Sequence, residues 1–192
     1  MSYSDDPVVL VIEDDPEVAE TYRLWLEDEV DVRVAEDGAD GLERLDPAVD
    51  IVLLDRRMPG LSGDEVLAEI RRRDLDCRVA MVTAVEPDFD ILEMGFDAYL
   101  SKPLKRSTLV ETVEQLLERA SYDSLLQEYY ALVEKRATLD ATTNQAELAR
   151  SEEYASLREE IDRLQSALAD TLDGIEDDED FVTTIRRLGD EN

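Results

Sequence analysis

The sequence predicts a doubly wound parallel α/β domain over residues 1–120, followed by a small all-α domain over residues 121–192. Two observations predict the first domain. It contains short apolar runs typical of parallel strands buried on both faces, and these runs alternate with helical segments five times. The third observation concerns the second domain, where no strand pattern follows and apolar residues recur every three to four positions.

Strands and helices follow one another regularly in the first domain. The predicted strands are 8–12, 30–35, 50–55, 78–83 and 98–101. The predicted helices are 16–29, 38–45, 64–73, a short one over 88–94 and a long one from residue 105. In the third helix, Val66, Leu67 and Ile70 are expected to point inward because they share one helical face. The single cysteine, Cys77, lies in an apolar run and is expected to be a small buried residue.

The second domain carries two apolar stripes at helical spacing. They are Leu125, Tyr129, Leu132 and Leu139, and then Leu157, Ile161, Leu164, Leu168 and Ile175. Cap-type residues over 140–152 separate the stripes, and the acidic run 176–180 separates the second stripe from a short third segment. The pattern predicts two antiparallel helices. The stripes form either the core of this hairpin or an intermolecular coiled coil.

The charge of the chain restricts its partners. Fifty acidic residues face 20 basic ones, which gives a net charge of −30 spread over both domains. Such a surface repels the phosphate backbone, so nucleic-acid binding is not expected. At molar salt the Debye length falls to ~3 Å and the self-repulsion nearly vanishes. Because 17 of the 20 basic residues are arginines, the acid-rich and lysine-poor composition indicates a halophilic cytosol.

Two absences in the sequence point to a cytoplasmic protein. No apolar run approaches the ~18 residues that a membrane helix needs. The N-terminus has no positively charged region before an apolar stretch, so no signal peptide is expected.

Polar residues stand where the predicted strands end. The first strand is followed by Glu13, Asp14 and Asp15, the third ends in Asp55, the fourth ends in Thr83, and the fifth is followed by Lys102. Ligands of doubly wound sheets bind at the carboxyl ends of the strands. We therefore expect three or four carboxylates, a hydroxyl and an ammonium group to meet in one crevice.

Clustered carboxylates repel each other unless a cation joins them. Mg²⁺ takes one or two carboxylates, keeps several waters and bridges to phosphate oxygens. Asp14 and Asp55 are the expected direct ligands, and Glu13 is expected to hold a bound water. The backbone carbonyl of Arg57 completes the predicted shell.

Asp55 is also the expected nucleophile. A carboxylate that attacks a phosphoryl donor yields an acyl phosphate. The metal and Lys102 would stabilise charge on the phosphoryl oxygens, and the hydroxyl of Thr83 would donate a hydrogen bond to one of them.

These residues lie in segments that resemble response-regulator receiver domains, namely VLVIEDDP, LLDRRMPGLSG, MVTA and YLSKP. The resemblance covers residues 7–119. It implies a flavodoxin-like strand order 2-1-3-4-5, phosphotransfer from a sensor histidine kinase and a cis Lys102–Pro103 peptide bond. It also implies a switch in which Thr83 moves toward the phosphate and Tyr99 turns inward; the other interpretation of Tyr99 is plain core packing.

The chain departs from the receiver pattern at three places. Glu13 stands where the family more often has Asp, a change that a water-mediated role tolerates. Arg57 either leans over the phosphate or points to solvent. The stretch from Thr83 to Lys102 is about one helical turn shorter than usual, so we expect no ordinary dimer through that face.

The second domain resembles the HalX domain that follows receivers in halophilic archaea. The supporting stretches are SLLQEYYALVEKRATL, SEEYASLREEIDRLQSAL and DEDFVTTIRRL. We therefore expect a two-component response regulator, not an enzyme in the turnover sense, whose output is a homodimer or contact with another protein. A transcription regulator that contacts DNA is the alternative, and a non-phosphorylated scaffold is a third.

Overall fold

The computed structural model describes residues 6–85, 91 and 94–176, and the chain divides into two compact units, residues 1–120 and 121–192. Most of the helix predicted over 88–94 lies outside the described residues. So do residues 177–180 of the acidic run and the third segment predicted after it.

The first unit is built on a five-stranded parallel sheet. The strands are β1 Val8–Ile12, β2 Asp31–Ala35, β3 Ile51–Leu54, β4 Arg78–Thr83 and β5 Ala98–Ser101. Their order is β2-β1-β3-β4-β5, which confirms the predicted fold. In the sheet Ile12 pairs with Leu54, and Thr83 pairs with Ser101. This register brings the carboxyl ends of β1 and β3 side by side.

Local sequence signals set the helix starts. The helices are α1 Pro16–Leu26, α2 Gly38–Arg44, α3 Gly63–Arg72, α4 Arg106–Thr142, α5 Gln145–Leu148 and α6 Glu152–Glu176. Asp15 caps α1 by accepting from the backbone N–H of Glu17, and Pro16 occupies the first turn, where its missing N–H costs nothing. Ser62 and Glu65 form a reciprocal capping box at the start of α3.

Successive strand residues point to opposite faces of the sheet and form two apolar layers, one on each face. The first layer packs strand residues such as Leu10 and Leu54 against α2 and α3, and the predicted inward residues Val66, Leu67 and Ile70 are all buried there. The second layer packs residues such as Val11 and Leu53 against α1 and the first part of α4. Cys77 is buried, as expected.

An ionic network ties the amino ends of β4 and β5 to α3. Asp97 accepts from Arg71 at 2.8 Å, from Arg78 at 3.0 Å and from the backbone N–H of Val79 at 2.8 Å. Arg71 also donates to the carbonyl of Cys77. Because Asp97 is largely buried, this network fixes the end of the sheet opposite to the polar strand ends.

In the second unit, α6 contacts α4 close to the segment that connects them. The hydroxyl of Tyr154, near the start of α6, donates to Asp140 near the end of α4 at 2.6 Å. From the α6 stripe, Ile161, Leu164 and Leu168 are buried. The α4 stripe is less covered, since Leu125, Tyr129 and Leu132 are half-buried and Leu139 is exposed.

The boundary at residue 120 falls inside a helix, because α4 runs without a break from Arg106 to Thr142. None of the helices in the described part of the chain combines the length and apolar character needed to cross a bilayer.

Candidate functional site

Three carboxylates converge at the carboxyl edge of the sheet. Oxygen atoms of Glu13, Asp14 and Asp55 all lie within 4.8 Å of one another. The sheet itself positions them, because the backbone N–H of Asp55 donates to the carbonyl of Ile12 at 3.0 Å. Glu13 and Asp55 are 3% and 8% exposed, whereas Asp14 is exposed. The site is thus a buried acidic pair with a third carboxylate at its opening.

Lys102 holds the buried pair together. Its Nζ donates to Oε2 of Glu13 at 2.5 Å and lies 3.3 Å from Oδ2 of Asp55. Its backbone N–H donates to the carbonyl of Thr83 at 2.8 Å, which fixes the residue at the end of β4 and β5. The Lys102–Pro103 bond is cis, the isomer that the resemblance implies.

One lysine does not neutralise this pocket. Burial raises the pKa of Glu13, the hydrogen bond and charge of Lys102 oppose that rise, and the charge of Asp55 adds to it. A divalent cation bound among these oxygens would remove the repulsion between the carboxylates. Three carboxylates, one of them at the open side, fit the oxygen preference of Mg²⁺.

Thr83 and Tyr99, the two residues of the predicted switch, both form a hydrogen bond with the main chain of Val85. The N–H of Val85 donates to Oγ1 of Thr83 at 3.2 Å, and the carbonyl of Val85 accepts from the hydroxyl of Tyr99 at 2.7 Å. Thr83 is buried. The ring of Tyr99 is half-buried, and its centroid lies 5.6 Å from that of the ring of Phe96. The switch role of Tyr99 stays a prediction, and its hydrogen bond to Val85 is compatible with that role and with plain core packing.

Arg56 and Arg57 differ in their surroundings. Arg56 pairs with Asp64 at 3.0 Å and its side chain is mostly covered. Arg57 is exposed, and its backbone N–H donates to Oδ1 of Asp55 at 3.5 Å. Its predicted roles, as a carbonyl ligand and as a shield over the phosphate, remain predictions.

Sequence reasoning did not single out Gly63, the first residue of α3. A Cβ at this position would lie 2.2 Å from the carbonyl oxygen of Asp55 and 2.8 Å from Cα of Arg56. Its backbone N–H donates to the carbonyl of Arg56 at 3.0 Å. Only glycine allows α3 to approach the backbone of Asp55 so closely. The LSG turn gives a weak local signal for a glycine, but not for this contact.

Each of the two parts of the chain matches a known protein family. Residues 9–114 match the family described as "Response regulator receiver domain", and residues 118–185 match the HalX domain. A "Putative transcriptional regulator" of Haloferax volcanii is 51% identical over 162 residues, which are 84% of this chain and 28% of that protein. The "Transcriptional regulatory protein CpxR" of Escherichia coli is 35% identical over 59% of this chain and 50% of its own length.

Solved structures give the same result for the first unit. A signal receiver domain of a putative Luxo repressor protein from Vibrio parahaemolyticus is 29% identical with a TM-score of 0.57, over 63% of this chain and 97% of that one. The response regulator TrrA from Thermotoga maritima, solved with Mg²⁺ and BeF, is 31% identical with a TM-score of 0.51. It covers 57% of this chain and 98% of its own. The chain spans half or less of the length of the two curated relatives named above. It spans nearly the whole length of the two receiver structures. The sheet order, the acidic site and the sequence matches together show that this chain belongs to the response-regulator receiver family and carries a HalX domain after its receiver.

Proposed function

We propose that this chain is the phosphorylation switch of a two-component system, with Asp55 as the phosphate acceptor, a sensor histidine kinase as donor and Mg²⁺ as cofactor. The observation that carries this proposal is the position of Asp55. It ends β3, lies in a buried acidic pair with Glu13, and has the ammonium group of Lys102 3.3 Å from its carboxylate.

Each side chain of the pocket has a role in this proposal. Asp55 attacks the phosphorus of the donor, so that an O–P bond forms and the bond to the leaving group breaks, with its electron pair left on that group. Lys102 faces the oxygens that gain charge. Thr83 donates a hydrogen bond from its hydroxyl to a phosphoryl oxygen. Mg²⁺, when bound, supplies charge neutralisation at the phosphoryl oxygens.

The ligand set for Mg²⁺ is part of the same proposal. Asp14 and Asp55 bind directly, Glu13 acts through a water, and the carbonyl of Arg57 completes the shell. Lys102 and Glu13 already form the tightest ion pair of the pocket, at 2.5 Å. Glu13 is therefore better suited to contact Mg²⁺ through a water than to bind it directly, because direct binding would break the ion pair with Lys102.

The output proposed for the switch is association, either of two copies or with another protein. The apolar stripe of α4 in the second unit supports this proposal, because its residues are half-buried or exposed. Proteins that present such stripes commonly pair through them.

Phosphorylation and assembly are best measured together. The protein is incubated with Mg²⁺ and acetyl phosphate at molar salt, and its intact mass and light-scattering mass are recorded beside those of Asp55→Asn. A gain of one phosphoryl group in the wild type alone is the expected result. A change in assembly on phosphorylation would identify association as the output, and an unchanged assembly would point to a separate partner protein. A folded wild type without any mass gain would contradict the proposal.

A transcription regulator that contacts DNA is the second candidate. It is favoured by the names of the relatives from Haloferax volcanii and Escherichia coli, both called regulators of transcription. The net charge of −30 opposes it. A filter-binding assay at molar salt, with and without phosphorylation, separates the two candidates.

A further inference from the structure

Arg56, the residue that follows Asp55, links the loop after β3 to the first turn of α3. Its guanidinium donates from Nε and Nη2 to the carboxylate of Asp64, at distances of 3.0 to 3.3 Å. Its main-chain carbonyl accepts from the N–H of Gly63 at 3.0 Å. This one residue therefore holds the loop against α3 through both its side chain and its main chain.

The ion pair between Arg56 and Asp64 combines several stabilising features. Two N–H groups of one guanidinium donate to one carboxylate, which makes such a pair both stronger and more directional. Asp64 lies in the first turn of α3, where the helix dipole favours a negative charge. Although Asp64 is exposed, the side chain of Arg56 is only 11% exposed, so salt screens this pair less than a fully exposed one. The pair is thus suited to fixing a main-chain position at molar salt.

The loop segment that this pair holds carries the carbonyl proposed as a metal ligand. The N–H of Arg57 is directed at Oδ1 of Asp55, 3.5 Å away, and the carbonyl of the same residue follows it. Because the side chain of Arg57 is exposed, the position of its main chain depends on its two neighbours. Met58 is buried in the core layer beside α3, and Arg56 is bound to Asp64. The carbonyl of Arg57 is therefore held from both sides.

We propose that Arg56 is a positioning residue for the Mg²⁺ site, and that its ion pair with Asp64 holds the carbonyl of Arg57 where the metal binds it. This inference rests on the proposed function, from which it takes the ligand set. It adds Arg56 and Asp64, which bind neither the metal nor the phosphoryl group, to the residues on which Mg²⁺ affinity depends.

The charge of Arg56 gives this proposal a distinctive sign. A positive group beside the site repels a bound cation, so removal of the charge alone would strengthen Mg²⁺ binding. Loss of the positioning contact weakens Mg²⁺ binding instead, because disturbing the support of a metal ligand typically costs 10- to 100-fold in affinity. The two effects of replacing Arg56 are therefore opposite in direction.

The test is a calorimetric titration of the full chain with MgCl₂ at molar KCl. It compares wild type with Arg56→Met, Asp64→Asn and the double variant. We expect all three variants to bind Mg²⁺ about 10-fold more weakly than wild type. The double variant should lose no more than either single one, because both changes remove the same contact. Arg44→Met removes an equal charge from an exposed ion pair with Asp40 on α2; it is the matched control and should bind like wild type.

Asp97→Ala separates positioning from a general loss of stability. It breaks the ionic network at the opposite end of the sheet, so it should lower the unfolding midpoint and leave Mg²⁺ affinity unchanged. An equal loss of Mg²⁺ affinity in Asp97→Ala and Arg56→Met would overturn the inference. So would an Arg56→Met variant that binds Mg²⁺ as tightly as wild type or more tightly, or losses that add up in the double variant. Each of these results leaves the proposed function standing, whereas a folded wild type that binds no Mg²⁺ would overturn both.

Discussion

Gly63→Ala tests how closely the pocket depends on the approach of α3. The added Cβ would stand 2.2 Å from the carbonyl oxygen of Asp55, whereas ordinary contact begins near 3.4 Å, so one of the two backbones must move by about 1.2 Å. A backbone cannot rotate away as a flexible side chain can. Helix propensity alone would favour alanine by up to ~1 kcal/mol, but overpacking of this kind costs roughly 1–3 kcal/mol. We expect a net loss of stability despite the better helix former.

The assay is urea unfolding at molar KCl, followed by the fluorescence of Trp25, with a Mg²⁺ titration of the folded protein. A displaced Asp55 should weaken Mg²⁺ binding by roughly 10- to 100-fold, the usual cost of disturbing the support of a metal ligand. Gly95→Ala is the matched control, because a Cβ there would meet only the side chain of Arg71 at 3.4 Å or beyond. The reasoning is wrong if Gly63→Ala is as stable as Gly95→Ala and binds Mg²⁺ equally well.

Three further predictions follow from other parts of the receiver unit. Tyr99→Ala should leave the rate of phosphorylation intact while the assembly response is lost, and an equal loss of both would contradict the coupling. Asp97→Ala should lower the free energy of unfolding by roughly 1–3 kcal/mol, because it leaves Arg71 and Arg78 without their shared acceptor; urea unfolding measures this, and a loss below 0.5 kcal/mol, on the order of a neutral surface change, would argue against it. The pKa of Tyr22, raised to about 12 from an ordinary value near 10, gives stability that is complete below pH 10 and lost as the pH rises toward 12. Wild type should therefore lose more stability than Tyr22→Phe over that interval, as thermal melts at successive pH values would show; parallel losses would refute this attribution.

The parts of the fold that the sequence predicted are those with a local cause. The runs of β1 and β3 are apolar throughout because both faces of the sheet are covered there. The polar residues that follow β1, β3 and β5 stand at the carboxyl edge of the sheet, where ligands of such folds bind. Asp55 and Lys102 were recognisable for this reason. The inward face of α3 was predictable from the spacing of Val66 and Ile70 alone.

Features that depend on two distant segments were not predictable. The contact of Gly63 with Asp55 exists only once α3 has packed against the end of β3. Likewise, only the folded chain brings Tyr22 of α1 into the same groove as Lys102, which follows β5. The continuity of α4 through residue 120 was not predicted either. A change of domain suggests a break in the helix, although neither Gly nor Pro stands between 104 and 143.

The hydrogen bonds of Val85 have a consequence for how this protein can diverge. Both bonds, to Thr83 and from Tyr99, use main-chain atoms, which every residue except proline can provide at the N–H. The side chain of Val85 therefore takes no part in the hydrogen bonds that join Thr83 and Tyr99. Substitutions there can change the surface of the protein while the two main-chain hydrogen bonds that join Thr83 and Tyr99 are kept.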